Sequence, residues 1–492
     1  MKKYIFFTIA TIVIFSTLTV SCSDEFVNRD VAYSIDSENY FNSKSDYDNA
    51  LVATYDLLQS SYVNVLLGEI ASDNTLAGGE SQTDVIGFQQ VDDMIHTPVN
   101  SNLRDVWNWM FAGVNRANYI LEFQNKTNFD GKKQVIAEAR FLRAYYHFEL
   151  VKWFGGIPMK GDARFKVGDE KTIPRSTVKE VYASIEADLI YASENLAALP
   201  SQKGRATKGA ALALLGKAYL YQDNFPKAAT TLESLITAGN YSLVADYNSI
   251  FEAEGENGAE SVFEVQYSDV KGASFDCLQC SEGNVAVGFS GPRNYTGTLF
   301  TSGFSFNIPT PKIVNAFEVG DNRKAVAILD FKDWATKTGA TYGKGYEDTG
   351  YFNRKYIPRK RSTKAAGDLN LTNPNNYRSI RYADVLLMAA EAFNRSGLSD
   401  VKARGYLNQV RRRAFGDLNH DISASGAALT DFILTERKIE LVGEGHRFFD
   451  LVRTKKAAQE ITGFTAGKNE LFPIPIEEIQ FANGNWTQNP GY

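Results

Sequence analysis

The stretch GAALALLGKAYLYQDNFPKAATTLESLI, residues 209–236, decides the fold that this sequence predicts. A Leu-Gly-x-x-Tyr motif contains Gly216 and ends at Tyr219, Ala228 follows nine residues later, and Leu232 comes after it. This is the spacing of the tetratricopeptide pattern, with Leu232 in the position that usually holds an aromatic residue. Small residues at such positions allow two helices to approach closely. The stretch therefore predicts a helical hairpin of tetratricopeptide type.

A second, less regular copy of the pattern lies at residues 386–412, and helical periodicity surrounds both copies. An ordinary helical hairpin would explain either copy alone. Apolar residues also recur at three- and four-residue spacing in several other segments, which are 37–60, 103–124, 132–153 and 181–199. Ser176 or Thr177 is a suitable N-cap for the last of them. The chain is therefore predicted to be mainly α, with a tetratricopeptide-like helical-repeat scaffold over about 37–250 and 372–460.

The helical pattern fades between residues 251 and 371, and also in residues 71–100, which we expect to form a long surface loop. Residues 262–267 alternate like a short strand, and the segment then mixes Gly, Asn, Ser and Thr with many aromatic residues. A long irregular segment is usually functional or disordered, and this aromatic content is too high for disorder. The sequence therefore predicts a large irregular, loop-rich lobe with a few short strands, which carries the recognition surface.

Residues 1–21 have the features of a secretory signal peptide. Lys2 and Lys3 precede a largely apolar run that reaches Val20, and Cys22 follows a small residue. The cysteine predicts a bacterial lipoprotein, with Cys22 carrying the lipid, although Thr19 stands where such sites usually have leucine. A single membrane-spanning helix is the alternative, but it needs roughly 20 apolar residues. We expect a chain that works outside the cytoplasm and is anchored to a membrane through its lipid alone.

Composition excludes some classes of function. The chain has 52 basic and 58 acidic residues and a net charge of -6, without basic clusters, which argues against nucleic-acid binding. None of its four histidines shares a metal-binding spacing with another, so no metal site is predicted. A calcium ion in the lobe would be compatible with the sequence, but no EF-hand-type spacing indicates one. No cofactor is expected.

Cys277 and Cys280 form a CLQC motif in a glycine-rich, loop-like stretch. In an oxidising compartment this spacing favours a local disulfide, and free thiols are the second interpretation. Zinc is the weakest, because two cysteines are half of a structural site and no further ligand lies nearby.

Catalytic motifs are missing from the sequence. It contains no HExxH, GxSxG or Walker motif. Glu436 and Glu440 lie one helical turn apart and would suit a glycosidase pair. Arg437, Arg447 and Arg453 lie near them in the sequence, which favours a salt-bridge network that holds the helix in place.

Several long motifs, in a fixed order, resemble the SusD/RagB family of surface nutrient-binding lipoproteins of Bacteroidetes. These are AEARFLRAYYHFELVKWFGGIP (137–158), GRATKGAALALLGKAYLY (204–221), PTPKIVNAFEVGDNR (309–323), RYADVLLMAAEA (381–392), LNQVRRRA (407–414), ILTERKIELVGEGHRFFDLVRTK (433–455) and LFPIPIEEIQFANGNWTQNPGY (471–492). The acidic pair after Cys22 is similar to the signal that sends such lipoproteins to the cell surface. The resemblance covers nearly the whole mature chain, 22–492, as one domain.

The resemblance implies a non-catalytic lipoprotein of the outer membrane, exposed on the cell surface. Members bind oligosaccharides, or peptides in some branches, and deliver them to a SusC-like TonB-dependent transporter. The helices would face the transporter and the lobe would take the ligand. A surface glycosidase and a purely structural scaffold are the alternatives. Physically, the motifs suit the scaffold, and the stiff Phe472-Pro473-Ile474-Pro475 run in the extended segment 469–492 is expected to dock on the core.

A glycan site needs aromatic platforms beside polar side chains, because sugars present apolar faces ringed by hydroxyls. Sites in the family draw on the early loop and the lobe, so the predicted ligand residues are Asp73, Asn74, Arg293, Asn294, Tyr295, Trp334 and Tyr342. Each aromatic residue could instead pack inside the lobe, and Asp73 could cap a turn. Trp107 and Trp109 are assigned to the core, and Trp486 to the docking segment.

Overall fold

The computed structural model describes residues 38–359 and 364–492. The predicted signal peptide and the lipid-carrying Cys22 lie outside the described residues. The prediction of a mainly α chain with few short strands is confirmed. None of the described helices is both long and apolar enough to cross a membrane.

The helices in chain order are α1 Lys44–Asp56, α2 Tyr62–Ile70, α3 Ile86–Asp92, α4 Ser101–Glu122, α5 Lys132–Phe154, α6 Val178–Asn195, α7 Lys208–Tyr221, α8 Phe225–Ala238, α9 Val285–Ser290, α10 Pro311–Val314, α11 Lys324–Ala327, α12 Phe331–Thr338, α13 Tyr382–Arg395, α14 Asp400–Phe415, α15 Gly426–Glu440, α16 Arg447–Arg453, α17 Ala457–Glu460 and α18 Ile476–Phe481. The strands are β1 Thr75–Gly78, β2 Ser261–Val265, β3 Phe306–Pro309, β4 Ile328–Asp330, β5 Tyr351–Asn353 and β6 Tyr377–Arg381.

The scaffold is a continuous array in which each helix packs on the next. Helices α4 to α8 pack in sequence order, and α8 then packs on α13, which contacts both α14 and α15. The array therefore continues from the first repeat-like hairpin to the second, although the lobe separates them in the chain. This arrangement buries one long hydrophobic core shared by both halves of the sequence.

The hairpin of α7 and α8 shows why the repeat pattern needs a small residue. A Cβ atom added at Gly216 would lie 2.5 Å from Cδ2 of Leu232, so the two helices touch at the glycine. Ala228 is fully buried in the same interface. Upstream, Thr177 caps α6 as expected, in a capping box that it forms with Glu180.

The lobe connects α8 to α13 and contains little regular structure. Its strands pair with one another and with the early segment as two-stranded antiparallel sheets, β1 with β3, β2 with β6 and β4 with β5. The expectation of a plain surface loop over 71–100 is wrong, because this segment contains β1 and α3. Leu76 pairs with Ile308, which anchors the early segment directly on the lobe.

A buried ion-pair cluster joins the lobe to the scaffold. Arg381, at the end of β6, is fully buried, and its guanidinium contacts carboxylates of Glu260 at 2.7 Å, Glu440 at 2.9 Å and Glu444 at 2.7 Å. Arg323 extends the cluster to Glu436 at 2.5 Å and to Glu440 at 2.9 Å. Buried carboxylates are tolerated only when cations neutralise them, so the cluster fixes how the lobe sits on α15.

The C-terminal segment docks on the scaffold through its proline-rich run. Phe472 and Ile474 are fully buried. The backbone N–H of Phe472 donates to the Trp153 carbonyl at 2.8 Å, which ties the segment to the end of α5. Trp486 is also buried, at 6% exposure, and its indole N–H donates to the Ile173 carbonyl at 2.7 Å.

Candidate functional site

Asp73 lies in an ion-pair centre. Its carboxylate contacts Arg447 at 2.7 Å, Lys438 at 2.9 Å and Lys312 at 2.9 Å, and its side chain is 2% exposed. Burial acts to raise the pKa of Asp73, but the hydrogen bond and charge of Arg447 and the charge of Lys438 hold it well below its usual range. The structure therefore corrects the prediction of Asp73 as a ligand residue, because its carboxylate already forms ion pairs with three cations.

Asn74 is fully buried beside Asp73, and its backbone carbonyl accepts the N–H of Thr310 at 2.8 Å. Both residues precede β1. The turn that contacts Arg293 in the lobe follows β1, and its exposed residues begin at Glu80. Asn74 lies one residue before β1, and Glu80 lies two residues after it, so the strand separates the two. The early segment therefore meets the lobe surface through its later turn rather than through Asp73 and Asn74.

Arg293 and Asn294 lie where that turn meets the lobe. The Arg293 guanidinium contacts Glu80 at 2.6 Å, and the Glu80 side chain is 73% exposed. Asn294 is exposed and has a φ of 48°, a left-handed conformation that asparagine tolerates better than most residues. The sharp bend presents its amide at the surface, beside Gly343.

A loop containing Tyr342 and Tyr346 closes the other side of this surface. The Gly343 N–H donates to the Arg293 carbonyl at 2.8 Å, and the Tyr346 N–H donates to the Gly79 carbonyl at 2.9 Å. The Tyr342 hydroxyl donates to Asp348 at 2.9 Å, and its ring is half-buried against Phe331. Backbone hydrogen bonds therefore hold the turn and the loop together.

Tyr295 and Trp334 belong to a small second core beneath this surface. Tyr295 is 7% exposed, and its hydroxyl accepts the Trp334 indole N–H at 3.1 Å. Phe300 packs against Trp334 with ring centroids 5.2 Å apart. Tyr295 therefore packs inside the lobe, which was the alternative to its prediction as a ligand residue. Trp334 is half-buried and keeps part of its ring accessible.

We call the group formed by Glu80, Arg293, Asn294, Tyr342 and Tyr346 the lobe patch, in which Glu80 and Asn294 are exposed and the other three are partly buried. It combines two partly exposed phenol rings with a guanidinium, a carboxylate and an amide. The rings can stack on an apolar face, and the polar groups can donate hydrogen bonds to hydroxyls or accept hydrogen bonds from them. Within the described parts of the chain, no group of three or more His, Cys, Asp or Glu side chains could hold a metal ion.

Sequence reasoning missed Glu80 and Tyr346. Glu80 follows Gly78 and Gly79, which adopt φ values of 71° and 95°, so the glycine pair was a usable signal of a turn. Tyr346 follows Gly343 and Gly345 in the sequence, but neither of these glycines has a positive φ. Nothing in the sequence, however, indicated that these two turns meet in space.

The glutamate pair considered for glycoside hydrolysis has a structural role. Glu436 contacts Arg323 and Arg411, and Glu440 contacts Arg323, Arg381 and Arg413, all within 3.0 Å. Both glutamates are buried, at 2% and 0% exposure. The prediction of a salt-bridge network is confirmed, but the arginines expected from the sequence are not its members. Arg437 pairs with Asp384 and Asp450, Arg447 with Asp73, and Arg453 with Glu391 and Asp450.

A disulfide joins Cys277 and Cys280, with Cα atoms 5.3 Å apart, in an exposed part of the lobe. Phe275, just before it, is 53% exposed and contacts Phe304 with ring centroids 5.6 Å apart. The disulfide stiffens this surface loop and does not contribute to the lobe patch.

Two family models match the chain. The model of the SusD family matches residues 332–470, and a model described as starch-binding, associating with the outer membrane, matches residues 28–220. The chain is also 28% identical over 528 residues to SusD-like protein P2 of Formosa agariphila, an alignment that covers 100% of both chains.

Solved structures give the same result. A laminarin-binding SusD-like protein superposes with a TM-score of 0.84 and is 34% identical, over 92% of this chain and 100% of that one. Surface glycan-binding protein A from Bacteroides thetaiotaomicron, in complex with laminarihexaose, superposes with a TM-score of 0.81 at 26% identity, over 91% of this chain and 99% of that one.

Proposed function

The chain belongs to the SusD family, and from that premise we propose that it binds glycans at the cell surface without cleaving them. The observation that carries the proposal is the 34% identity, over the full length of the other chain, to a protein that binds laminarin. A second neighbour of the same fold was solved with laminarihexaose. Laminarin is therefore the first glycan to test.

We place the ligand on the lobe patch. Tyr346 and Tyr342 supply apolar ring surface, and removing that surface from water stabilises a bound sugar ring. Arg293 offers donors and Glu80 offers acceptors for hydroxyls, and their ion pair keeps both side chains in place before the ligand arrives. Trp334 extends the aromatic surface. Since the side chains of Asp73 and Asn74 are buried, we expect them to hold β1 in place rather than to contact the glycan.

The test is calorimetric titration of the protein with laminarihexaose. We expect Tyr346→Ala and Asn294→Gly each to weaken binding by about tenfold, which corresponds to roughly 1.4 kcal/mol. Glycine keeps the left-handed backbone at position 294, so only the amide is lost. Tyr119→Ala, which removes a 37% exposed tyrosine on α4, is the matched control. Unchanged affinity in Tyr346→Ala, Asn294→Gly and Trp334→Ala together would show that the ligand binds elsewhere.

Ligand class and catalysis are tested with the same material. Incubation with laminarin and starch should release no new reducing ends, because the glutamate pair of α15 is neutralised by arginines. Measurable turnover would favour the surface glycosidase. A set of oligopeptides is the comparison ligand, and binding of peptides but not of glycans would favour the peptide-binding branch.

We further propose that Cys22 carries the lipid and that a SusC-like TonB-dependent transporter receives the glycan. Support comes from the signal-like residues 1–21 and from the family model whose description places its members with the outer membrane. Labelling with a palmitate analogue should mark the parent chain but not Cys22→Ser. Affinity purification from solubilised outer membranes should recover a transporter, and its repeated absence would contradict the partnership.

A further inference from the structure

A separate pocket of about 360 Å³ lies on the scaffold, where α4, the loop before α6 and the C-terminal segment meet. We call it the scaffold pocket. Its aromatic lining is Trp107, Phe111, Phe165 and Trp486. The ring centroids of Trp107 and Phe111 are 4.6 Å apart, and Phe165 meets Phe111 edge-on at 6.0 Å. This volume is at the lower end of the range for small-ligand sites, and suits one long side chain rather than a folded element.

Two carboxylates at this pocket have no cationic partner within the described residues. Glu170 accepts only the N–H of Gly168, at 2.8 Å, and Glu478 accepts the indole N–H of Trp107. Asp169, which also lines the pocket, pairs with Lys160, and Glu477, next to Glu478, pairs with Arg104. Glu170 and Glu478 are therefore the two carboxylates of the pocket that a cation could still neutralise.

The electrostatics of the pocket favour a cation. Burial first, and then the charges of Glu477 and Glu170, raise the pKa of Glu478, so its negative charge is poorly compensated there. Lys166 also lines the pocket and would repel a cation that came close to it. A cationic group would therefore sit between Glu170 and Glu478, away from Lys166.

Apolar side chains beside the pocket point to a protein partner. Val167, next to Lys166, is fully exposed, and Phe481, one turn beyond Glu478 on α18, is 60% exposed. Exposed apolar groups around a pocket are typical of protein interfaces. A neutral sugar would use the rings, but it would leave the two carboxylates without a counter-charge.

We propose that the scaffold pocket binds an arginine side chain, flanked by apolar residues, from a partner protein. A guanidinium can stack on the aromatic floor and donate to both carboxylates at once, which an ammonium does less well. The apolar neighbours of the arginine would cover Val167 and Phe481. This site lies outside the lobe patch, and it does not depend on which glycan the lobe patch binds.

The test compares two synthetic peptides, acetyl-Gly-Phe-Arg-Phe-Gly-amide and the same peptide with neutral citrulline in place of arginine. Binding to the full mature chain is followed by calorimetry and by intrinsic tryptophan fluorescence, to which Trp107 and Trp486 contribute two of the five tryptophans. We expect the arginine peptide to bind about fivefold or more tightly than the citrulline peptide, with the difference shrinking at high salt. Glu170→Gln and Glu478→Gln should each remove most of that difference.

Glu194→Gln, on the exposed surface of α6, is the matched control and should bind the arginine peptide like the parent. All three variants should keep the parent's affinity for laminarihexaose, which shows that they are folded and separates this test from the test of the lobe patch. Equal binding of the two peptides, no binding up to about 5 mM, or displacement of the arginine peptide by laminarihexaose would each overturn the proposal.

Discussion

Replacing Arg381 by methionine should destabilise the protein strongly, because this residue is the centre of the joint between lobe and scaffold. Its guanidinium neutralises Glu260, Glu440 and Glu444, and all four side chains are between 0% and 2% exposed. Arg413 and Lys355 remain near these glutamates in the variant, and so does Arg323, which Glu440 shares with Asp321 and Glu436. One buried negative charge is nevertheless left without a matching cation.

Breaking a buried ion pair from one side costs about 3–5 kcal/mol. With an unfolding entropy of roughly 2.1 cal/mol/K per residue over about 450 folded residues, this loss lowers the melting temperature by about 3–5 °C. Differential scanning calorimetry measures the shift directly. Arg412→Met is the matched control, since Arg412 pairs with Asp421 on the surface with 48% of its side chain exposed. Its melting temperature should stay close to that of the parent.

The pH dependence provides a second readout of the same reasoning. In the parent, the charges of Arg413 and Arg381 hold the pKa of Glu440 below its usual range despite burial, so the parent loses stability as the solution becomes acidic. In Arg381→Met, the uncompensated carboxylate should have a raised pKa and take up a proton on folding. The loss of unfolding free energy in Arg381→Met, relative to the parent, should therefore be smaller at pH 5 than at pH 8. A loss below about 1 kcal/mol, or a deficit independent of pH, would refute this account.

Two further predictions concern single residues. Burial, and then the charge of Glu347, raise the pKa of Asp92 to about 8, so the folded state binds the extra proton between about pH 4 and pH 8 and loses stability as the pH rises. Urea titrations should show Asp92→Asn gaining about 4 kcal/mol relative to the parent between pH 5 and pH 8.5, at about 1.36 kcal/mol per pH unit up to the folded pKa, and a constant difference would contradict this. Gly216→Ala should lose about 0.5–2 kcal/mol, because overpacking against Leu232 outweighs the gain in helix propensity. Gly405→Ala, in α14 with no atom within 4 Å of the added Cβ, should instead gain up to about 1 kcal/mol, and similar effects of the two changes would show that the helices do not touch at Gly216.

Local sequence patterns were sufficient for the scaffold. Helix formation depends on residues three and four positions apart, so apolar periodicity predicted α4 and α5 with bounds within a few residues. The small residue at Gly216 predicted the close contact of α7 and α8, and the mixed charges around Glu436 predicted an ion-pair network. Near neighbours along the chain were enough for the existence of these features. They did not give the partners of the network, because the arginines that contact Glu436 and Glu440 come from other segments.

The lobe depended on contacts between distant parts of the chain. Leu76 pairs with Ile308, and β2 pairs with β6 across more than a hundred residues, so no window of sequence contains both partners. For the same reason the ion pairs of Asp73 with Arg447 and Lys438 could not be anticipated, and they remove Asp73 from the surface.

The sequence by itself thus determined the helical class, the family and the residue types that a glycan site would need. Tertiary structure alone decided which of those residues share a surface. It placed Glu80 beside Arg293, joined Tyr346 to Gly79 through a backbone hydrogen bond, and left Asn74 at the other end of β1. The physical reason is that helices arise from short-range periodicity, whereas a binding surface made of loops is positioned by hydrogen bonds and ion pairs between residues far apart in the chain.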